Sequence, residues 1–448
     1  MRPDVHYVRN GDVSLAYQVV GEGPRDLLLV FGFLSNIEYA WIYPSMAAFL
    51  TRLAGFSRLI LMDRRGSGLS DRFVVAPPIE VTLEDLYVVL DEVGSTRTTL
   101  VGLWEGCATS VLFAATHPER VSSLVLFGAA AAETPHDDYS LALWDEAQWE
   151  DWLLSIKEGW GTRAWVVRNA RWMAPALLDA PEELEQWISY TRLSASPSSA
   201  EAVMRIDKDI DIRQVLATVQ SPTLVLHRTG DQIQPIIEGR YVASKIPNAK
   251  FVEIPGDDGI PWLGDVESVL TEIEAFVVGP QKVSAAASDR RLATVLFTDI
   301  VASTERSAEM GDVAWKGTLE AHHAVVRAGL ARHGGREIST AGDGFFATFE
   351  GPAAAARCAV ELTSDLSAID LRIRAGVHTG EVETIDGEIG GIGVTIGARV
   401  AAMAGPSEVL ATSTVKDLTA GSGIIFSDAG EHALKGVPDR WHLYRVMA

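Results

Sequence analysis

The 448-residue chain has only two cysteines, Cys107 and Cys358, and both lie in apolar, helical sequence. A framework of disulfide bonds is therefore excluded, and a reducing compartment is expected. Long apolar runs are also missing, since the longest, around residues 26–34, is too short to span a bilayer. The N-terminal sequence contains no apolar core of a signal peptide. We expect a cytoplasmic protein without a membrane span.

Basic residues are outnumbered, with 38 Lys and Arg against 60 Asp and Glu, which gives a formal net charge of −22. This charge repels phosphate groups, so nucleic acid and anionic membranes are not expected as partners. No internal repeat is present. Hydrophobic residues make up 47% of the chain, as in a globular protein with a buried core. The length exceeds that of one ordinary domain and predicts two or three.

Residues 1–277 have the pattern of a doubly wound parallel sheet. From residue 13 to about 130, nearly continuous aliphatic runs alternate with helical stretches, as expected for strands buried on both faces. Residues 133–205 lack strand signals and hold seven of the twelve tryptophans. Strand-like runs then resume, and a helix closes the region. The sequence therefore predicts an α/β domain with a helical cap at about 133–205.

Residues 278–290 are rich in small residues, Gly and Pro, which predicts a linker before a second domain at 291–448. The predicted elements of that domain are a strand ending near Asp299, a long helix to about His333, two strands around Gly342–Gly344, a helix at 352–367, a strand at 371–380, a helix at 394–404 and short terminal strands. On the long helix, we expect His322 and His323 at the surface or at an interface.

A glycine-bounded turn between a strand and a helix is predicted at residues 102–106, Gly-Leu-Trp-Glu-Gly. In the G-x-S-x-G nucleophile elbow, the third position carries the catalytic serine. Here that position is Trp104, whose indole N–H is a donor and not a nucleophile.

With "MDRRGSGLSDR" at 62–72 and "TGDQIQP" at 229–235, this elbow makes the first domain resemble the α/β-hydrolase fold family. The resemblance implies that Asp231 is the triad acid and that Gly259, in "PGDDGIPW", replaces the histidine. Because nucleophile and base are both lost, we expect no hydrolase activity. Two roles remain open: a scaffold, or a sensor in which Trp104 and the cap tryptophans bind an apolar ligand.

Two aspartates mark the second domain. "ATVLFTDIVAST", 293–304, puts Asp299 at a strand end, and "STAGDGFFATF", 339–349, puts Asp343 in a glycine-flanked turn. Carboxylates on adjacent strand ends can hold two divalent ions about 4 Å apart. Separately, each aspartate is also typical of a cap or turn. The backbone N–H groups at the helix start suit a polyphosphate; the residues concerned are Ile300, Val301, Ser303 and Thr304.

Together and in this order, the two motifs resemble the class III adenylate/guanylate cyclase family over about residues 291–446. "VTIGARVAAMAG", 394–405, is similar to the V-N-x-A-x-R helix of the family and places its transition-state arginine at Arg399. "HALKGVP", 432–438, matches the segment that holds the triphosphate-binding lysine, here Lys435. The resemblance implies a ferredoxin-like α+β domain.

The chain departs from the family at the positions that read the nucleotide. Ser339 stands where adenylate cyclases carry lysine and guanylate cyclases carry glutamate, and Thr395 replaces the ribose-positioning asparagine. Glu388 maps to the partnering acid and can accept from an exocyclic amine, which favours adenine.

The resemblance implies conversion of ATP, with GTP as the alternative, to a 3′,5′-cyclic nucleotide and pyrophosphate. It implies two divalent cations per site, Mg²⁺ or Mn²⁺, on Asp299, Asp343 and the Ile300 carbonyl. It also implies a homodimer with active sites shared between chains. Two alternatives are a nucleotide-binding regulator without turnover and an esterase with a regulatory nucleotide domain.

Overall fold

The computed structural model describes residues 2–32, 34–72, 77–136, 139–142, 144–279, 290–385 and 388–447. The chain divides into two compact units, Met1–Ala285 and Ala286–Ala448. Most of the predicted linker at 278–290 lies outside the described residues. Within the described ranges, no helix combines the length and apolar character needed to cross a bilayer.

The first unit is built on an eight-stranded sheet of order β1-β2-β4-β3-β5-β6-β7-β8. All pairs after β4 are parallel, whereas β1–β2 and β2–β4 are antiparallel. The strands are β1 His6–Asn10, β2 Val13–Val20, β3 Asp26–Val30, β4 Arg58–Met62, β5 Thr98–Leu103, β6 Val121–Phe127, β7 Thr223–Arg228 and β8 Lys250–Ile254. The central strand β5 is buried along its whole length, because helices cover both faces of the sheet.

The helices of the first unit cover the sheet and build a cap. They are α1 Pro44–Phe56, α2 Ile79–Glu92, α3 Glu105–Thr116, α4 Glu146–Gly159, α5 Arg163–Met173, α6 Pro181–Ser194, α7 Pro197–Lys208, α8 Ile236–Lys245 and α9 Val266–Val278. Helices α4 to α7 form the cap between β6 and β7, in the region predicted for it. The cap helices begin at side-chain caps or prolines; Asp145, for instance, forms a capping box with Gln148. A mostly parallel sheet covered by helices, with a helical cap inserted between two of its strands, is the architecture predicted from the sequence.

The second unit has a mostly antiparallel sheet of order β10-β11-β9-β12-β14-β16-β15, and β13 pairs with β12 off this path. Its strands are β9 Arg290–Ile300, β10 Arg336–Ala341, β11 Gly344–Phe349, β12 Ile373–Ile385, β13 Glu388–Gly390, β14 Val409–Thr412, β15 Ile425–Ala433 and β16 Arg440–Met447. Helices packed on it make the unit α+β, as predicted. They are α10 Ser303–Met310, α11 Asp312–Arg332, α12 Pro352–Ser367, α13 Ile392–Met403 and α14 Ser413–Leu418.

The long helix predicted to run to His333 is two helices. Gly311 separates α10 from α11 and has a φ of +77°. Only glycine adopts that conformation without strain, so the chain turns between two helical segments. The first of them, α10, follows directly on the end of β9 and thus lies beside Asp299.

Candidate functional site

Asp299 and Asp343 lie at one edge of the second sheet. Asp299 is near the end of β9, and Asp343 lies in the two-residue turn between β10 and β11. Strands β9 and β11 are neighbours with Phe345 opposite Thr298, so their ends place the two carboxylates together. The Ile300 N–H donates to Asp343 Oδ2 at 3.1 Å. Burial raises the pKa of the Asp343 carboxyl, and the nearby Asp299 charge raises this pKa further.

Arg374 is a member of this site that the sequence motifs did not reveal. It lies opposite Asp299 in the β9–β12 register, and its guanidinium forms an ion pair with Asp299 Oδ2, the Nε atom at 3.1 Å. Register between strands distant in sequence cannot be read from motif spacing. A basic residue near the start of the predicted strand 371–380 was the only available signal.

The residues present fit divalent cations. Asp299 already forms an ion pair with the Arg374 guanidinium, so this carboxylate is accessible to a positively charged group. The charge of Asp299 also acts on Asp343, so the two carboxylates lie near one another. Carboxylate and carbonyl oxygens are the ligands that Mg²⁺ and Mn²⁺ prefer. Among the residues that the structure describes, no group of three or more His, Cys, Asp or Glu side chains could hold a metal, so further ligands would have to come from the substrate.

The predicted polyphosphate-binding N–H groups are only partly free. The Ile300 N–H is used by Asp343, and the Val301 N–H donates to the Arg372 carbonyl at 2.9 Å. These two positions therefore do not supply free donors, which corrects the prediction. Ser303 and Thr304 open helix α10, where the first N–H groups have no intrahelical acceptor.

A cavity with about 640 Å³ of space free of protein atoms, partly open to solvent, lies beside the carboxylates. Asp299, Ser339 and Arg374 all line it. Helix α13 contributes only alanines to this lining: Ala398, Ala401 and Ala402. The predicted base-reading serine thus shares one cavity with a predicted metal ligand.

Arg399, Thr395 and Lys435 form a separate group. The Arg399 Nε donates to the Lys435 carbonyl at 3.0 Å, and the Thr395 hydroxyl donates weakly to the Gly391 carbonyl at 3.4 Å. Arg399 does not line the cavity that Ala398 lines. Across the described part of the chain, no hydrogen bond or ion pair joins this group to Asp299 or Asp343. Glu388 lies in β13, and its side chain is outside the described residues.

His322 is buried, which corrects its prediction as a surface or interface residue. Neither ring nitrogen has a hydrogen-bond partner, and burial lowers its pKa to about 4. The ring packs edge-on against Phe345, 5.6 Å between centroids. His323 is exposed, and its Nε2 lies 2.9 Å from the Gly342 carbonyl, so it supports the turn that holds Asp343.

The first unit keeps the geometry of a nucleophile elbow. Trp104, between β5 and α3, has φ 52° and ψ −121°, a backbone conformation that a bulky residue rarely adopts. A Cβ at Gly106 would lie 2.2 Å from the Val30 carbonyl oxygen, so the turn tolerates only glycine there. The apex therefore presents an indole where the family presents a hydroxyl.

The two other triad positions also lie together. A Cβ at Gly259 would lie 3.0 Å from Asp231 Oδ1, so a histidine there would meet the acid directly. The Trp104 Nε1 donates to the Gly259 carbonyl at 2.7 Å. Asp231 Oδ1 accepts from the Ile233 and Gln234 N–H groups. Its Oδ2 is buried without a hydrogen-bond donor among the described residues and lies 4.0 Å from His227 Nε2.

A second cavity lies between the elbow and the cap, with about 1000 Å³ of space free of protein atoms, partly open to solvent. Nine of the twelve tryptophans line it: Trp104, Trp144, Trp149, Trp152, Trp160, Trp165, Trp172, Trp187 and Trp262. We call it the tryptophan cavity. Six cap tryptophans contact one another with ring centroids 4.9 to 5.6 Å apart.

Two family profiles match the chain. Residues 27–260 match the alpha/beta hydrolase fold, and residues 286–448 match the adenylate and guanylate cyclase catalytic domain. Among curated relatives, the putative carbamate hydrolase RutD of Caulobacter sp. (strain K31) is 26% identical over 276 residues, which cover 60% of this chain and 95% of that protein. The putative adenylate cyclase 3 of Rhizobium meliloti (strain 1021) is 28% identical over 171 residues, 35% of this chain and 28% of that protein.

Solved structures are similar to the first unit. An esterase from Exiguobacterium antarcticum is 19% identical, with a TM-score of 0.54 over 61% of this chain and 99% of that one. A hydrolase from Pseudomonas aeruginosa PA01 is 23% identical, with a TM-score of 0.52 over 62% of this chain and 99% of that one. At these identities the likeness establishes the fold alone. The second unit matches the adenylate and guanylate cyclase catalytic domain, and the chain belongs to the α/β-hydrolase fold family.

Proposed function

We propose that the chain is a cytoplasmic cyclase that converts ATP to 3′,5′-cyclic AMP and pyrophosphate, and that two copies pair to build its active sites. The observation that carries this proposal is the proximity of Asp299 and Asp343 beside a cavity that Asp299 and Ser339 line. In this proposal Asp299, Asp343 and the Ile300 carbonyl hold two Mg²⁺ or Mn²⁺ ions. When bound, these ions would lower the pKa of the ribose 3′-hydroxyl and neutralise phosphate charge.

The side chains and backbone of the chain act on the triphosphate. The N–H groups of Ser303 and Thr304 bind phosphate oxygens at the start of α10. Arg374, once displaced from Asp299, supplies a guanidinium to the same oxygens. The ribose 3′-hydroxyl gives its proton to solvent, and its oxygen attacks the α-phosphorus in line. The new P–O bond forms, the bond to the bridging α–β oxygen breaks, and pyrophosphate leaves with that electron pair.

The second copy contributes Arg399, Thr395 and Lys435 to the same site. Arg399 stabilises the charge that grows on the α-phosphoryl oxygens, Lys435 binds the triphosphate, and Thr395 stands beside the ribose. Their separation from Asp299 within one chain supports this assignment.

Ser339 and Glu388 are proposed as the base-reading pair. A serine hydroxyl both donates and accepts, so we expect ATP to be preferred to GTP only modestly. Ser339→Lys should raise the ratio of kcat/KM for ATP to that for GTP by about tenfold, since one discriminating hydrogen bond is worth about 1–3 kcal/mol. A strong GTP preference in the unmodified chain would show that the base-reading pair is misassigned.

The first unit is proposed to be a scaffold or ligand sensor and not a second enzyme. Trp104 and Gly259 occupy two of the three triad positions, which leaves Asp231 without a base to orient. The rival proposal is an esterase, because the curated relatives of this unit carry hydrolase names.

The test is turnover of Mn²⁺-ATP and of p-nitrophenyl acetate by the purified chain. We expect cyclic AMP and no ester hydrolysis above buffer. Asp299→Asn and Asp343→Asn should each lose at least a hundredfold in cyclic AMP formation. Asp365→Asn, which removes a surface carboxylate paired with Arg332, is the matched control and should keep full activity.

Two results would overturn the proposal. Nucleotide binding without any cyclic product would favour the second candidate, a regulatory nucleotide-binding domain. That candidate is considered because Ser339 and Thr395 stand where the cyclase family carries other residues. Ester hydrolysis that disappears in Asp231→Ala would favour the esterase.

A further inference from the structure

The tryptophan cavity has an unusual combination of aromatic rings and acidic groups. Besides the nine tryptophans, its lining includes two carboxyl side chains, Glu105 and Glu133. No lysine, arginine or histidine is among the described residues that line it. A purely apolar ligand needs no carboxyl group there, and an anionic ligand would be repelled.

The two carboxyls lie at the elbow end of the cavity. Glu105 follows Trp104 directly and begins α3, while Glu133 follows β6. Both also line a smaller space together with Asp207. The Oε2 atom of Glu105 is buried without a hydrogen-bond partner. Glu133 accepts from the Gln234 side chain at 3.0 Å and forms no ion pair with a basic side chain among the described residues.

The nearby arginine is already committed. Arg64 forms a bidentate ion pair with Asp207, both distances 2.8 Å, and also donates to the Gly32 carbonyl. Its charge also favours the ionised form of Glu105, but one guanidinium faces the three carboxyls of Asp207, Glu105 and Glu133, so acidic groups stay in excess. Burial, and in turn the Glu133 charge, raises the pKa of Glu238, a further buried acid, which accepts from the Tyr139 hydroxyl.

The burial of Glu105 and Glu133 shifts the pKa values of both carboxyls. Burial raises the pKa of Glu105 well above its ordinary value and that of Glu133 to about 7, and the neighbouring acids raise both pKa values further. Carboxyls buried in this way are costly for the fold unless a positive charge joins them.

Several polar donors of the described lining have acceptors within the protein, whereas the Nε1–H groups of Trp152 and Trp262 are buried without one. Asn169 donates to the Trp165 carbonyl, and Gln234 donates to Glu133. The indole N–H groups of Trp104, Trp149 and Trp160 donate to backbone carbonyls. A ligand therefore meets mainly aromatic ring surface and carboxyl oxygens, and these are the groups that bind organic cations through cation–π contacts and charge.

We propose that the tryptophan cavity binds an apolar organic cation, an alkyl or aryl ammonium, with its charge at Glu105 and Glu133 and its apolar body among the indole rings. The proposal rests on the proposed role of the first unit as a ligand-binding module, and it specifies the ligand class.

The test measures binding of phenyltrimethylammonium and of its neutral isostere tert-butylbenzene to the full chain by equilibrium dialysis. The two molecules differ in charge and hardly in shape. We expect the cation to bind at least tenfold more tightly. Glu105→Gln and Glu133→Gln should each weaken cation binding at least tenfold and change binding of the neutral molecule by less than twofold. Glu158→Gln, on the exposed side of α4, is the control and should change neither.

The outcomes separate this proposal from the one on which it rests. Equal binding of both probes would overturn the cation proposal and leave an apolar ligand site. Binding of neither would overturn both proposals. If Glu105→Gln alone loses binding of both probes, that substitution has damaged the cavity, and Glu133→Gln becomes the deciding variant. Selective loss of cation binding in Glu133→Gln then supports the proposal, and unchanged cation binding overturns it.

Discussion

At the scale of single residues, Asp231 is a buried acid that has lost its histidine. Its Oδ2 accepts no hydrogen bond from the described residues, and burial raises the pKa of this carboxyl to about 6. The unfolded chain has an ordinary aspartate pKa near 4. Between these values the folded state holds a proton that the unfolded state releases, so stability falls as the pH rises from about 4 to 6. Above pH 6 the full penalty is present.

Asp231→Asn removes this penalty while its amide oxygen can still accept from the Ile233 and Gln234 N–H groups. We expect the first unit to gain on the order of 1–3 kcal/mol at pH 8 and almost nothing at pH 4. The measurement is the free energy of unfolding of this unit from urea titrations at both pH values. Asp151→Asn, on the exposed face of α4, is the control. An equal gain at both pH values would contradict the assigned titration.

Individual residues also show which parts of the candidate site can be predicted from sequence. The neighbouring aspartates and the elbow were predictable because each lies in a contiguous motif, and the role of Arg399 stays a prediction from its own motif. Arg374 was not, since its contact with Asp299 depends on the register of strands far apart in the chain. The burial of His322 was missed because adjacent histidines on a helix give no sign of which one faces the core. The acceptors of the Ile300 and Val301 N–H groups are distant in sequence, so the local motif does not show that these two donors are already used.

At the scale of elements, helix α13 lies against strands β9 and β12 at very short range. A Cβ at Gly376 would be 2.2 Å from the Ala401 nitrogen, and one at Gly397 would be 2.5 Å from Val295 Cγ2. The helix and the sheet are therefore in direct contact, and this contact fixes the position of Arg399 and of the alanines that line the cavity beside Asp299. The helix was predictable from its pattern, but its close approach to the sheet was not.

Gly376→Ala should push α13 away from β12. We expect a loss of about 1–3 kcal/mol in stability of the second unit, typical of overpacking, and at least a tenfold loss of cyclic AMP formation. Gly317→Ala is the matched control: it lies in α11 with open space around its Cβ position, so it should gain about 0.5–1 kcal/mol and keep its activity. Full activity in Gly376→Ala would mean that α13 does not position the site.

At the scale of the whole molecule, the proposed active site needs two chains. One chain brings Asp299 and Asp343, and the other brings Arg399, so each dimer of two-fold symmetry holds two equivalent sites. Asp343→Asn and Arg399→Ala should each be nearly inactive. After subunit exchange, half of the dimers are mixed, and each mixed dimer has one intact site and one doubly damaged site. About one quarter of the original activity should therefore return.

The matched control is a mixture of Asp299→Asn with Asp343→Asn. Both substitutions lie on the same side of the shared site, so every site in the mixed dimers keeps one defect and no activity should return. If the mixture of Asp343→Asn with Arg399→Ala forms no cyclic AMP, although labelled subunits confirm exchange, the shared site is contradicted. Equal recovery in both mixtures would contradict it as well.

The ring contacts of the cap have an optical consequence. Indole rings whose centroids are 4.9 to 5.6 Å apart exchange excitation energy, so Trp144, Trp152 and Trp165 with their neighbours act as one coupled chromophore. Light absorbed at any of these rings reaches the others before it is emitted. A molecule that quenches one indole in the cavity therefore lowers the fluorescence of several indoles at once. The intrinsic fluorescence of the protein then measures whether the tryptophan cavity is occupied.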